Sequence, residues 1–246
     1  AVFGASFGFE RPLWFARDGE EARDILSFRR PNWFAAVGRE CNALRTGVGM
    51  IEISGFAKYE ITGPDAETFL DRMLACKLPK KAGRTVLAPM LNTKGGIIGD
   101  FTVTRISDTN FYMVGAGAAE RFHLRRFADE QGDADVTVRS VTAERAGLAI
   151  AGPNSRKLLE RLTTDDVSAE SFKFMATRDM EVANVPARVM RISFTGDLGY
   201  EIHLAAEYQR ALFHALMEAG KDLGITLCGA RALDALRLEK GYGRWG

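Results

Sequence analysis

One pattern occurs twice in this chain: an apolar stretch is broken by Gly-Pro and followed by apolar residues at helical spacing. The first copy contains Gly63-Pro64, and the second contains Gly152-Pro153. Proline suits the first turn of a helix, where its missing N–H removes no hydrogen bond. Each copy therefore predicts a strand, a sharp turn and a helix. Because the same order recurs, we predict an internal duplication.

Behind each Gly-Pro helix the same elements follow: a strand, a glycine-rich turn, further strand and a helix. In the first copy the strand is predicted at 86–91, the turn at 93–96, the further strands at 100–106 and 111–114, and the helix at 118–131. In the second copy the strand is predicted at 185–194, the turn at 195–199, the further strand at 200–204 and the helix at 205–222. This order predicts an α+β fold, with two related α+β units and mostly antiparallel sheets. We expect an N-terminal segment at 1–50 that packs on the core, a first repeat unit at 51–141 and a second at 142–246.

Charge and cysteine content argue against several classes of function. The chain has 33 basic and 32 acidic side chains, so its net charge of +1 indicates no nucleic-acid partner. No apolar stretch approaches the ~20 residues of a membrane span. The 3 cysteines are far apart, and the histidines lack metal-ligand spacing. We expect no metal and no membrane association, and a location in the cytoplasm, or in the mitochondrial matrix of a eukaryote.

Asp100 is the most unusual residue of the first copy. It follows the turn at Thr93-Lys-Gly-Gly96 and opens a strand rich in Ile, Val, Phe and Thr. Aspartate is depleted inside strands because a carboxylate finds few polar partners on an apolar pleated surface. Asp100 therefore either caps the turn or points into a polar pocket, and the residues alone leave both possibilities open.

Glu201 raises the same question in the second copy, where it lies in an apolar strand. Alternation places Glu201 and His203 on one face and Tyr200 and Ile202 on the other. The first of these faces is either the solvent side of an antiparallel sheet or the wall of a pocket that contains a carboxylate.

Arg237 lies on a predicted helix that Gly241 ends. Its guanidinium is suited to binding a carboxylate through two parallel hydrogen bonds, although an exposed charged face is the commoner explanation.

The turn at Gly115-Ala-Gly117 is similar to a dinucleotide-binding fingerprint. Glu120 occupies the position of its third glycine, so a glycine-rich turn before an ordinary helix is the better interpretation.

Six segments in order carry a resemblance to a known family. They are Gly8-Phe-Glu-Arg-Pro-x-Trp-Phe15, Glu40-Cys-x-Ala-x-Arg45, Tyr59-Glu-Ile-Thr-Gly-Pro-Asp-Ala-Glu-Thr-Phe-Leu70, Met90-Leu-Asn-Thr-Lys-Gly-Gly-Ile-Ile-Gly-Asp100, Phe194-Thr-Gly-x-x-Gly-Tyr-Glu201 and Leu236-Arg-Leu-Glu-Lys-Gly241. Together they resemble the glycine cleavage T-protein (aminomethyltransferase) family. More narrowly, they resemble the folate-binding region fused behind the flavin domain of dimethylglycine and sarcosine dehydrogenases.

The resemblance implies a tetrahydrofolate-dependent transfer of a one-carbon unit, which arrives as the iminium of a small methylated amine or as formaldehyde and yields methylenetetrahydrofolate. It implies catalysis by Asp100, a contact of Glu201 with the pterin, and a contact of Arg237 with the acidic tail of the folate. The further expected folate contacts are Tyr200, Phe194, Met90 and Val114.

The resemblance also implies that this sequence is part of a longer chain. It places FAD on a flavin domain outside this sequence and implies a C-terminal β-domain that this sequence lacks. Two positions depart from the family pattern. Leu87 stands where a tyrosine is common, and residues 115–117 stand where an asparagine is often found.

The alternatives to this function are a folate-dependent demethylase that moves a methyl group and a folate-binding protein without transfer chemistry. Proteins of the latter kind carry a Lys-Gly-Cys-Tyr motif, whereas this chain has Lys240-Gly-Tyr242.

Overall fold

The computed structural model describes residues 1–6 and 9–245; Gly8, the first residue of the opening motif, lies outside the described residues. The strands are β1 (Val2–Ser6), β2 (Phe9–Trp14), β3 (Gly49–Glu52), β4 (Ala57–Thr62), β5 (Arg84–Leu91), β6 (Ile97–Ser107), β7 (Asn110–Gly115), β8 (Thr137–Ser140), β9 (Arg145–Ala151), β10 (Thr177–Val182), β11 (Val185–Met190), β12 (Gly199–Ala205) and β13 (Thr226–Leu227). The α-helices are α1 (Phe34–Thr46), α2 (Ala66–Met73), α3 (Glu120–Gln131), α4 (Ser155–Glu160), α5 (Gln209–Ala219) and α6 (Ala230–Glu239). Within this described chain, every helix is too short or too polar to cross a bilayer.

The chain forms two compact units, each with its own large sheet. The six-stranded unit comprises Ala1–Ile53, Gly147–Phe174 and Asp179–Gly243. The five-stranded unit comprises Ser54–Ala146, Met175–Arg178 and a stretch that begins at Arg244.

The sheet of the five-stranded unit has the order β5-β6-β7-β4-β8. All of its neighbouring strands are antiparallel. Helices α2 and α3 contribute apolar side chains to the core on one face of this sheet, where Phe69 of α2 and Phe127 of α3 pack with Tyr59 and Phe101 of the strands. The other face carries the alternate residues of each strand, among them Asp100.

The sheet of the six-stranded unit has the order β10-β11-β12-β9-β3-β13. Strands β11 and β12 are antiparallel, as are β3 and β9, whereas β13 runs parallel to β3. The antiparallel β1–β2 hairpin, α1 and α6 share an apolar core with β3, in which Trp14, Leu44, Ile51 and Leu236 are buried. The predicted α+β fold with mostly antiparallel sheets is confirmed.

Both Gly-Pro breaks lie at the junction between a strand and a helix, as the pattern predicts. Gly63 follows β4 and precedes α2, and Gly152 follows β9 and precedes α4. Their φ angles are +134° and +119°, a region that residues with a Cβ rarely adopt. Glycine is therefore required at both positions. The duplication itself and the bounds of the repeat units stay predictions.

A buried glutamate joins the N-terminal part of the six-stranded unit to the start of α6. Glu40 is 2% exposed, and its two carboxylate oxygens accept hydrogen bonds from the N–H groups of Phe15 at 2.7 Å and Gly229 at 2.8 Å. Burial raises the pKa of Glu40, although both hydrogen bonds oppose that shift. Because Gly229 directly precedes α6, this carboxylate fixes where the helix that carries Arg237 begins.

Candidate functional site

The turn between β5 and β6 is held by the side chain of Asn92. Asn92 Oδ1 accepts hydrogen bonds from the backbone N–H groups of Lys94 and Gly96, each at 2.9 Å. Gly95 has φ +78°, a conformation that glycine adopts without strain. Asn92 thus caps the turn, which leaves Asp100 of β6 available for another role.

Asp100 is half-buried near the start of β6. Its Oδ2 accepts a hydrogen bond from the backbone N–H of Trp245, which belongs to the same unit, at 3.2 Å. Oδ1 has no hydrogen bond to any of the residues that the structure describes. One oxygen of the carboxylate is therefore fixed, and the other is free to accept a proton or a hydrogen bond from a ligand.

Val114 and Met90 lie on opposite faces of the five-stranded sheet. Thr102, two residues after Asp100, pairs with Val114, so alternation puts Asp100 and Val114 on the same face. Met90 is 1% exposed and belongs to the apolar core on the other face. The structure brings Val114, but not Met90, to the face of Asp100. Their expected contacts with a ligand stay predictions.

His123 of α3 is a buried polar residue that contacts Trp245, the residue bound to Asp100, and sequence reasoning missed it. Its Nδ1 lies 3.2 Å from the hydroxyl of Tyr59, and its ring centroid is 5.5 Å from that of Trp245. Burial lowers its pKa to about 4, so the imidazole is neutral at physiological pH. The signal was its i, i+4 spacing from Phe127, which puts the ring on the buried face of α3.

We expect the burial of His123 to make folding stability depend on pH between 7 and 5. In the unfolded chain its pKa is ~6.5, so there the unfolded state binds the proton that the folded state excludes. The stability is present above pH 6.5 and is lost as the pH falls toward the folded pKa of about 4. The expected loss from this residue is about 2 kcal/mol between pH 7 and pH 5.

Urea unfolding at both pH values, on the wild type and on His123→Phe, measures this loss. The wild type should lose more stability than the variant between pH 7 and pH 5, because phenylalanine cannot be protonated. Equal losses in the two proteins would show that His123 is not the source.

The glycine-rich turn after β7 has a packing explanation. A Cβ added at Gly117 would lie 1.9 Å from the carbonyl oxygen of Gly55, so two backbone segments meet there. The Glu120 carboxylate accepts hydrogen bonds from the hydroxyls of Ser140 and Thr142. These contacts agree with a turn before an ordinary helix. A group of three or more metal-binding side chains is absent from the described part of the chain.

Glu201 and His203 share one face of β12, as alternation predicts. His203 is 1% exposed and Glu201 is 18% exposed at their side chains, so this face is not a solvent-facing one. Glu201 Oε2 lies 3.4 Å from His203 Nε2, and the β11 residue opposite Glu201 is the buried Met190. Oε1 of Glu201 has no hydrogen bond to a described residue.

Tyr200 lies on the opposite face of β12 from Glu201. It is fully buried, its hydroxyl accepts a hydrogen bond from Arg156 Nε at 3.1 Å, and its ring packs against Phe172 at 5.9 Å. Burial raises the pKa of Tyr200, and Arg156 partly offsets that shift. The strand thus separates Tyr200 from Glu201. Its expected ligand contact stays a prediction.

Arg237 is held at the C-terminal end of α6 by the geometry of the helix cap. Gly241 adopts φ +70°, and the N–H groups of Gly241 and Tyr242 bind the carbonyls of Leu238 and Arg237. This pair of hydrogen bonds is a Schellman cap. The guanidinium of Arg237 donates to Asp234 Oδ1 at 3.3 Å and to the carbonyl of Tyr242 at 3.1 Å. Its Nη2 has no partner among the described residues.

Phe194 approaches the same cap. Its ring is stacked on that of Tyr242, with centroids 6.4 Å apart and an interplanar angle of 29°. Gly196, in the turn before β12, has φ +79°, and a Cβ there would lie 2.3 Å from the side chain of Lys240. The six-stranded unit therefore brings Phe194 and the turn that leads to Glu201 next to the end of the helix that carries Arg237. Tyr242, which contacts both Phe194 and Arg237, was not among the predicted site residues.

Three comparisons place the chain among known proteins. Human mitochondrial dimethylglycine dehydrogenase is 38% identical over 245 residues, which cover 99% of this chain and 28% of that protein. The aminomethyltransferase of Thermoanaerobacter sp. (strain X514) is 32% identical over 209 residues, 84% of this chain and 56% of that protein. The glycine cleavage system aminomethyltransferase T of Bartonella henselae superposes with a TM-score of 0.80 at 24% identity, over 97% of this chain and 58% of that one.

The chain therefore spans little more than a quarter of the length of the dimethylglycine dehydrogenases that it matches. The superposition shows the fold, and the sequence matches extend over nearly every residue of the chain. The GCVT N-terminal domain matches residues 1–246. The resemblance found in the sequence motifs is thus confirmed, and the chain belongs to the GCVT N-terminal domain family.

Proposed function

We propose that this chain is a tetrahydrofolate-dependent one-carbon transfer module that forms methylenetetrahydrofolate. The observation that carries the proposal is Asp100: a half-buried carboxylate in β6 with Oδ2 held by the Trp245 amide and Oδ1 without a partner in the described chain. Membership in an aminomethyltransferase-like family supports the proposal.

Asp100 performs two tasks in this proposal. Tetrahydrofolate, when bound, supplies the nitrogen nucleophile that takes up the one-carbon unit. Asp100 Oδ1 would accept the proton that this nitrogen releases and return it to the amine nitrogen, which leaves as its bond to the carbon breaks. The charge of the carboxylate would stabilise the cationic iminium that brings the carbon. The N–H of Trp245 restrains the carboxylate, so less conformational freedom is lost when it acts.

The six-stranded unit offers a donor and acceptor set that fits a folate. Glu201 is mostly buried and keeps Oε1 open, and a carboxylate accepts hydrogen bonds from an amino-pyrimidine edge. Arg237 keeps Nη2 open, and a guanidinium binds the carboxylates of a glutamate tail. These residues fit the two chemically different ends of the ligand, and we propose that they hold it. Tyr200, Phe194, Met90 and Val114 remain the proposed additional contacts.

The oxidation that generates the iminium is proposed to occur outside this chain. Among the relatives are proteins named dimethylglycine dehydrogenase and others named sarcosine oxidase subunit alpha. We propose a flavin domain or subunit as the partner and a small methylated amine as the source of the carbon. The human relative is named as mitochondrial, and for this chain a cytoplasmic or mitochondrial-matrix location is proposed.

Titration of the purified protein with tetrahydrofolate, followed by product analysis with formaldehyde as the carbon source, tests the proposed function. We expect saturable binding and the formation of methylenetetrahydrofolate. Methyltetrahydrofolate formed from a methyl donor would favour the demethylase alternative. Binding without any transfer would favour a non-catalytic folate-binding protein.

We expect Glu201→Gln to weaken tetrahydrofolate binding more than it slows transfer. Glutamine keeps the shape of the side chain but replaces one acceptor oxygen with an N–H donor, which would face an N–H of the ligand. A mispaired buried polar group costs about 1–3 kcal/mol, which corresponds to a roughly tenfold to hundredfold rise in Kd. Calorimetry on the wild type and the variant measures it.

Glu207→Gln is the matched control, because it makes the same chemical change at an exposed residue just after β12. Its Kd should equal that of the wild type. If Glu201→Gln binds tetrahydrofolate as tightly as the wild type does, Glu201 does not contact the ligand.

A further inference from the structure

The five-stranded unit contains a buried polar pair that the proposed chemistry does not use. His123 and Tyr59 are both fully buried, and the Tyr59 hydroxyl lies 3.2 Å from His123 Nδ1. The His123 ring also contacts Phe101, with centroids 4.7 Å apart. A buried polar pair lowers stability unless it is well satisfied, so its presence in an otherwise apolar core calls for an explanation.

Burial keeps both members of this pair uncharged. Burial raises the pKa of Tyr59, which therefore keeps its proton, and burial lowers the pKa of His123, which is therefore neutral. The Tyr59 hydroxyl and His123 Nδ1 therefore form a hydrogen bond between two neutral groups, and the tautomer of the imidazole decides which of them donates. Nε2 makes no hydrogen bond within the described chain, and the backbone of Ile98 partly offsets the lowering of the His123 pKa.

His123 contacts two residues that adjoin Asp100: Gly99, which precedes it in the chain, and Trp245, which binds its carboxylate. A Cβ added at Gly99, the residue before Asp100, would lie 2.9 Å from His123 Nε2, so the imidazole packs directly on this backbone. On its other side, the His123 ring packs on Trp245, whose N–H binds Asp100 Oδ2. Phe122 stacks on the same indole, with centroids 6.3 Å apart.

We propose that His123 is a positioning residue for Asp100: its imidazole, oriented by Tyr59, supports both the backbone of Gly99 and the Trp245 residue that holds the carboxylate. This inference rests on the proposed function, because it explains the His123–Tyr59 pair by its effect on the position of Asp100 Oδ1. A displacement of ~1 Å at a reacting group can cost ~10² in rate, so a modest loosening of this support is expected to be measurable.

The test uses His123→Phe and Tyr59→Phe in the full-length protein. His123→Phe keeps a ring of similar size but removes Nδ1 and Nε2, and Tyr59→Phe removes only the hydroxyl that orients the imidazole. We expect each variant to lower kcat for one-carbon transfer at least ~10-fold, with the Kd for tetrahydrofolate within ~2-fold of the wild type. Because both changes delete the same hydrogen bond, the double variant should be no slower than the slower single variant.

Phe69→Leu is the matched control for a loosened core. Phe69 packs in the same apolar cluster and contacts the Phe127 ring at 6.3 Å, and within the described chain its ring contacts neither the His123 ring nor the Trp245 ring. It should destabilise the protein with kcat unchanged. If kcat falls equally in Phe69→Leu and His123→Phe, the role of His123 is structural only, and the proposal is wrong.

Asp100→Asn in the same assay separates the failure of this inference from a failure of the proposed function. If Asp100→Asn abolishes transfer and both His123→Phe and Tyr59→Phe keep wild-type kcat, only the positioning role is overturned. If Asp100→Asn transfers normally, the proposed function fails and the inference falls with it. Should His123→Phe not fold, Tyr59→Phe alone decides, since a wild-type kcat in that variant overturns the proposal.

Discussion

Asp100→Asn is expected to lower one-carbon transfer by ~10²–10⁴-fold while the protein stays folded. Asparagine keeps the size of the side chain and an oxygen that can accept the Trp245 N–H, so the local structure should persist. It cannot accept a proton and carries no charge to stabilise a cationic iminium. The loss should therefore appear in kcat, measured as methylenetetrahydrofolate formed from formaldehyde and tetrahydrofolate.

Asp108→Asn serves as the matched control. Asp108 follows β6 and has a fully exposed side chain that lies 3.7 Å from Arg105. The same chemical change there should leave both kcat and Kd unaltered. Near-normal transfer by a well-folded Asp100→Asn protein would remove Asp100 from the chemistry.

Gly63→Ala and Gly152→Ala are each expected to lower the free energy of unfolding by about 2–5 kcal/mol. A positive φ costs an L-residue about 1–2 kcal/mol, and forced overpacking adds about 1–3 kcal/mol. A Cβ added at Gly63 would lie 2.2 Å from the carbonyl oxygen of Asp135. A Cβ added at Gly152 would lie 2.5 Å from the carbonyl oxygen of Gly47. Because the obstructing atoms belong to the backbone, a change of side-chain rotamer cannot relieve either contact.

Urea unfolding of the two variants beside Gly132→Ala measures this cost. Gly132 also has a positive φ, +56°, but a Cβ there would have open space around it. Its replacement should therefore cost only the backbone term of about 1–2 kcal/mol. If all three variants lose the same stability, the close backbone approach at the Gly-Pro junctions contributes nothing.

Local features of this protein were predictable because they depend on neighbouring residues. The Gly-Pro junctions at Gly63 and Gly152, the common face of Glu201 and His203, and the helix stop at Gly241 all follow from spacing along the chain. Each is a matter of backbone conformation or of strand alternation, and both can be inferred from a short window of sequence.

Contacts between distant residues were not predictable in this way. Asp100 and Trp245 are 145 residues apart, and Tyr59 and His123 are 64 apart. Nothing in the composition of either segment identifies its partner. The sequence also left open whether Asp100 caps its turn, because Asn92 and Asp100 both flank the glycines; the structure assigns that role to Asn92.

The two hydrogen bonds that the Glu40 carboxylate accepts affect how the protein folds during its synthesis. The two donors, Phe15 and Gly229, lie 25 and 189 residues away from Glu40 along the chain. At ~5–20 residues per second, a ribosome needs roughly 10–40 s to travel from Glu40 to Gly229. During this interval Trp14 and α1 lack the helix that covers them in the finished protein. The core that the N-terminal segment shares with α6 therefore closes only after α6 has left the ribosome.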